Sequence, residues 1–155
     1  MYGPDILFAE TRLKSIGVEV EIEASSIYTA EPKRDAHLRS ADFIDAEEHP
    51  KITFHSKRVS GAFKKPGDRS KVLGNLTIRG TTKEVTLDAT FHGMGKDPWG
   101  GTRAGFEAHT QIDRSDYGLL WNQALEAGGI LVGNEVRILI EAEAVRKSTA
   151  ERAAA

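Results

Sequence analysis

In six separate stretches of this chain an apolar residue recurs at every second position, a period that fits a strand with one dry face and one wet face. Val18, Val20 and Ile22 alternate with Glu19, Glu21 and Glu23, and Ile52 and Phe54 with Lys51, Thr53 and His55. Leu76 and Ile78 share one side of the run Val72 to Arg79, as Val85, Leu87, Ala89 and Phe91 do of Lys83 to His92. Ala104, Phe106, Ala108, Thr110 and Ile112 carry the pattern through Arg103 to Asp113, and Val136, Ile138, Ile140 and Ala142 through Leu131 to Val145. Turn signals separate the runs: Pro66 and Gly67, then Gly80 with Thr81 and Thr82, then the glycine-rich segment 93 to 101. Strands and turns without βαβ alternation predict an antiparallel sheet bent into a barrel or a sandwich.

Two stretches interrupt the strands. In Arg34 to Phe54 the spacing of Leu38 and Phe43 predicts a short helix with Asp35 as its N-cap, ended by Pro50. In Arg114 to Gly129, Trp121 and Leu125 with the closing glycines predict a turn of helix with a glycine cap. The Gly-rich loop lacks the lysine-serine ending of a phosphate-binding loop and precedes no helix, so it is not a nucleotide site. Residues 1 to 16 read as an irregular N-terminal remnant, 17 to 146 as one barrel domain, and 147 to 155 as a disordered tail.

Composition narrows the function. At 155 residues the chain can bury a sizeable core without staples. The net charge of −2 provides no overall field toward nucleic acid. The absence of cysteine removes disulfides, thiolate metal sites and a cysteine nucleophile. No apolar run reaches the roughly 18 residues of a membrane span, and the opening MYGPDILFAE is not a secretory leader. As given, the chain is expected in the cytoplasm, and in the periplasm or outside the cell if its true N-terminus lies further upstream.

Few residues suggest chemistry. Arg34, Asp35 and His37 form the one compact cation, carboxylate and imidazole group. They suit either a cap with an ion pair across a barrel end or an enzyme acting on a small molecule at the barrel mouth. The histidines at 37, 49, 55, 92 and 109 show no zinc spacing, and the glutamates of the first alternating run suit a solvated face, so no metal is expected. Lys57, Arg58, Lys64, Lys65, Arg69 and Lys71 are the single basic concentration, either a solvated loop or a lip attracting a phosphate or another anionic headgroup. Phe43, Phe54, Phe91, Phe106 and Trp121 fall mainly on dry faces, which in a barrel line the lumen.

Five segments carry a family resemblance: SSIYTAEPKRDAHLRSADFIDAEEHPKITFHS at 25 to 56, GNLTIRGTTKEVTLDATFHG at 74 to 93, DPWGGTRAGFEA at 97 to 108, IDRSDYGLLWN at 112 to 122 and GGILVGNEVRILIEAEAV at 128 to 145. In this order they resemble the YceI-like family of bacterial proteins. The resemblance implies an all-β, antiparallel, lipocalin-like barrel with two short helical interruptions. It also implies an apolar tunnel for a polyisoprenoid or another long-chain amphiphile, and no catalytic reaction. The family's N-terminal strand region has no counterpart here, so the barrel is expected to be incomplete, with exposed edges covered by a second copy or filled by a partner's strands.

The expected function is non-enzymatic binding, transport or storage of such a lipid, with no other cofactor, no nucleic-acid partner and no integral membrane segment. Burying about ten CH₂ units contributes on the order of 8 kcal/mol before association costs. Leu38, Phe43, Phe54, Leu76, Ile78, Phe91, Phe106, Trp121 and Ile140 are the expected apolar wall, and Arg34, His37, Arg103 and Asn122 the polar mouth. A charged headgroup stays at that mouth because a dry lumen would desolvate it.

Overall fold

In the computed structural model, which describes the backbone of residues 9–14 and the whole of residues 17–145, seven strands form one antiparallel sheet in sequence order. They are β1 (Ala9–Lys14), β2 (Gly17–Glu23), β3 (Lys51–Ser60), β4 (Arg69–Ile78), β5 (Thr81–Lys96), β6 (Thr102–Asp113) and β7 (Glu135–Val145). A 3-10 turn, Ala24–Ser26, and the helix α1 (Pro32–Arg39) lie between β2 and β3, and a second 3-10 turn, Arg114–Tyr117, follows β6. Each strand pairs only with its chain neighbours, which leaves β1 and β7 as the edges among the described residues. The sheet is curled, and β1 approaches β7 without pairing to it.

Register sets the two faces. Val20 opposes Phe54, Phe54 opposes Leu76, Val72 opposes Leu87, Phe91 opposes Phe106, and Ala108 opposes Ile140. The apolar sets of successive strands therefore coincide on one side, as a side-chain period of two requires. Gly74 makes this possible in β4: a Cβ there would meet the Phe54 ring at 2.5 Å, so the ring occupies space only glycine leaves empty. The buried core joins Val20, Phe43, Ile52, Phe54, Val72, Leu76, Ile78, Leu87, Ala89, Tyr117 and Leu119, with Ile138 and Ile140 of β7 against it.

Several expectations are corrected. Ala9–Lys14 is a strand, although residues 1 to 16 read as irregular; its alternation of Ala9, Thr11 and Leu13 with charged residues was masked by the preceding Gly3 and Pro4. Residues 1–8, 15–16 and the tail from 146 lie outside the described residues. The helix is capped by Glu31, which accepts from the Lys33 N–H at 3.1 Å, because Pro32 takes the first helical position. Asp35 stands a turn further on. The β4–β5 turn is the pair Arg79–Gly80, both with positive φ, and not Gly80 to Thr82, so β4 ends at Ile78 and β5 begins two residues earlier than expected, at Thr81. Gly93 to Lys96, expected in a loop, extend β5 past a bulge at Phe91/Gly93. No helix forms at Trp121 and Leu125; Gly118 caps the 3-10 turn instead, and Gly128 and Gly129 turn a short excursion bridged at Ala124 and Ile130. The last strand begins at Glu135, not Leu131, because the carbonyls of Val132 and Gly133 are engaged by side chains.

Candidate functional site

The concave face is closed at one end and open at the other. At the closed end, α1 and the loop after it lie over the β4–β5 turn: the Arg79 guanidinium donates to Phe43 O at 2.8 Å, and Gly80 sits against the His49 ring. Asp35, 4% exposed, accepts from the backbone N–H and hydroxyl of Thr29. Arg34 donates to the Thr29 hydroxyl and carbonyl, each at 2.8 Å. The pair thus straps the helix to the preceding loop. His37 does not meet Asp35; its Nε2 pairs with Asp42 at 2.8 Å, and its ring stands edge-on to Phe43 and Trp121 at 5.0 and 4.4 Å.

Beside the helix, the loop from Leu119 to Asn134 is wound around a buried cation. Arg114, 5% exposed, donates to the carbonyls of Gly133, Leu119, Trp121 and Val132. A guanidinium presents five donors in a fixed fork, so one side chain satisfies four carbonyls of a loop with no ladder of its own. Asn122 clips the same loop, donating to Val132 O at 2.7 Å and accepting from Val132 N at 3.0 Å. Tyr117, 2% exposed, completes this end, and burial pushes its phenol above the ordinary value.

At the opposite end lie the β3–β4 loop, residues 61 to 68, and the β5–β6 turn, residues 97 to 101. Phe63 packs with Phe91 and Phe106 at ring separations of 5.3 to 6.1 Å, forming an aromatic group at the mouth of the concave face. Between the ends, Ala104, Phe106, Ala108, Ile112, Ile138, Ile140 and Ala142 on β6 and β7 are only half-buried, whereas the matching residues of β3 to β5 are mostly buried. Side chains therefore fill the β3–β5 side of the curl and leave the β6–β7 side partly open.

The nine wall residues share this surface, with Leu38, Phe43 and Trp121 at its closed end and Phe91 and Phe106 at its open end. The four mouth residues do not come together. Arg34 and Asn122 brace the closed end, and His37 sits in its aromatic group. Arg103 lies on the convex face, where Asp97 and Glu143 hold it at 2.8 Å each and raise its pKa. An alternation places Arg103 opposite in face to Ala104, and the carboxylates take its fork. Near it, a shallow depression of about 460 Å³ around Gly105 is lined by the polar His92, Arg103, Glu107, Glu141 and Glu143 together with Ala104, Phe106 and Ala142. No group of metal-ligating side chains forms among the described residues. Arg114 was missed in the sequence, where nothing distinguishes it from a surface arginine.

A one-sheet antiparallel meander curled around a dry concave face, with one end plugged by a helix, is a lipocalin-like half-barrel. The model of the YceI-like domain matches residues 4–144, and the chain belongs to that family. Protein YceI of Salmonella arizonae is 41% identical over 140 residues, which are 90% of this chain and 68% of that protein. A Campylobacter jejuni YCEI protein superposes with a TM-score of 0.68 at 26% identity, covering 96% of this chain and 84% of its own. Burkholderia cenocepacia BcnA shares the fold, with a TM-score of 0.70 at 20% identity, covering 90% and 84% of the two chains.

Proposed function

We propose that this protein is a non-enzymatic carrier or store for a long-chain amphiphile, a polyisoprenoid or a fatty-acyl lipid, laid along the concave face. The observation that carries this reading is the half-open apolar surface of β6 and β7 between a plugged end and an aromatic mouth. A surface of this kind gains by covering with hydrocarbon, at about 0.8 kcal/mol per buried CH₂. Headgroup selectivity is weak on this account, because the four polar residues expected at the mouth are engaged in structural bonds.

The closed end supports a role without catalysis. His37 is held by Asp42 and two aromatic rings, and Asp35 is occupied by Thr29, so among the described residues neither is aligned as a base on a nucleophile. Mass spectrometry of an organic extract of the purified protein tests the carrier reading, together with titration of the lipid-free protein with a fluorescent prenol. Retained or added long-chain lipid is the expected result. Extracts free of lipid and a flat titration would overturn it.

A further inference from the structure

Several cations of the sheet sit beside carboxylates: Lys51 by Glu21 and Glu23, Lys57 by Glu84, Lys71 by Asp88, and Arg137 by Glu135. Around the β3–β4 loop, Arg58, Lys64, Lys65 and Arg69 are exposed, and none forms an ion pair among the described residues. The loop's own carboxylate, Asp68, accepts the backbone N–H groups of Lys65 and Lys64, which hold it below the usual carboxylate range. Two bonds dock the loop on β5, Gly67 N–H to Phe91 O at 2.7 Å and Phe91 N–H to Asp68 O at 2.9 Å. Pro66 lies over Gly93, whose φ of +114° and missing Cβ allow the contact. The basic loop is thus fixed against the strand that carries the aromatic mouth.

The neighbouring β5–β6 turn is as firmly built and points its largest side chain into water. Asp97 accepts from Trp99 N–H at 2.9 Å, Gly101 N–H at 2.8 Å and Arg103 Nε at 2.8 Å. Trp99 is nevertheless 83% exposed, and Met94 on the same projecting hairpin is 60% exposed. The indole is left in water, and the four cations form no close ion pair among the described residues. Both are stabilised where anionic headgroups overlie hydrocarbon, since tryptophan favours that boundary and each nearby lysine or arginine adds about 1 kcal/mol.

We propose that this rim docks on an anionic lipid bilayer. Trp99 and Met94 enter the headgroup boundary, while Arg58, Lys64, Lys65 and Arg69 lie over the phosphates. The concave face then opens toward the membrane through Phe63, Phe91 and Phe106, and an amphiphile moves between bilayer and protein without crossing water. That last consequence rests on the carrier reading; the docking does not.

The test is co-sedimentation of the full chain with vesicles of phosphatidylcholine alone or mixed with an equal share of phosphatidylglycerol. Binding is expected to the mixed vesicles and not to the neutral ones, and to weaken as salt rises. Changing Lys64 and Lys65 together to Gln should weaken partition roughly thirty-fold, the equivalent of about 2 kcal/mol. Mixed vesicles should shift tryptophan emission to the blue in the unaltered protein and not in Trp99→Ala. Absence of binding to mixed vesicles, or variants that partition like the parent, would overturn the proposal. So would a Lys64→Gln, Lys65→Gln protein that loses affinity for a soluble prenyl phosphate while keeping vesicle binding, because the cations would then serve a free ligand. Vesicle binding without uptake of a prenol analogue would leave docking standing and remove the carrier reading.

Discussion

The two ends of the curled sheet use polar groups in opposite ways. At the closed end they face inward: Arg114 serves four carbonyls, Asp35 and Arg34 serve Thr29, and Asn122 serves Val132. At the open end the carboxylates Asp68 and Asp97 fold their own loops, while the cations and Trp99 remain on the outside. The closed end supplies donors to backbone carbonyls, whereas the open end leaves Trp99 and the loop cations exposed. Between them lies an apolar wall belonging to neither.

The sharpest break is at the wall. Phe106→Asp should remove binding of an added prenol to below detection, since a carboxylate buried against hydrocarbon costs several kcal/mol, and circular dichroism should show the sheet retained. A folded variant that binds normally would move the ligand off the β6 face. Next is the closed end: Arg114→Met removes the side-chain donor of the Gly133, Leu119 and Trp121 carbonyls and leaves Val132 O to Asn122, and should cost about 3 kcal/mol, read as a lower urea midpoint at unchanged m-value. Its folded fraction should still bind prenol. A smaller effect, about 2 kcal/mol, is expected from Asp35→Ala, which releases the Thr29 donors; unchanged thermal stability would show that the strap is decorative.

The smallest effect belongs to the open end and depends on pH. Asp97 is held low by the Arg103 bond first and then the Gly101 N–H, and Asp68 by the Lys65 and Lys64 N–H groups. A depressed folded pKa contributes stability that is fully present above the ordinary carboxylate value and is lost as pH falls through the lower folded one. Acidification below the usual carboxylate range should therefore lower the protection factors of the Lys64, Lys65, Trp99 and Gly101 amides, taken relative to intrinsic exchange at each pH. Protection there that is insensitive to acid would mean that other contacts hold these loops.

The period-two runs made six of the seven strands and the dry face legible, because a one-residue slip would turn every apolar side chain to water. The segments from 25 to 145 carried the family as well. Strand ends and turns were less legible: Arg79–Gly80 forms the tight turn through two positive φ values, and β5 runs through glycines that read as loop. The nine residues expected on the apolar wall share one surface, since hydrophobic burial depends on the face alone, whereas the four expected at the mouth do not come together. A polar side chain acts through a partner, and Asp42, Thr29, Glu143 and Val132 are chosen by geometry that spacing along a chain does not contain.

What the sequence determined by itself is therefore the alternation, the antiparallel class and the set of apolar residues that must share a face, all of them consequences of local periodicity. Tertiary structure decided which arginine is buried and which is exposed. Arg114 and Arg69 are alike as residues, yet one guanidinium meets four carbonyls brought from 5 to 19 positions away and the other hydrogen-bonds to none among the described residues. A charge's role is set by what the fold places within about 3 Å of it, a distance that chain separation does not encode.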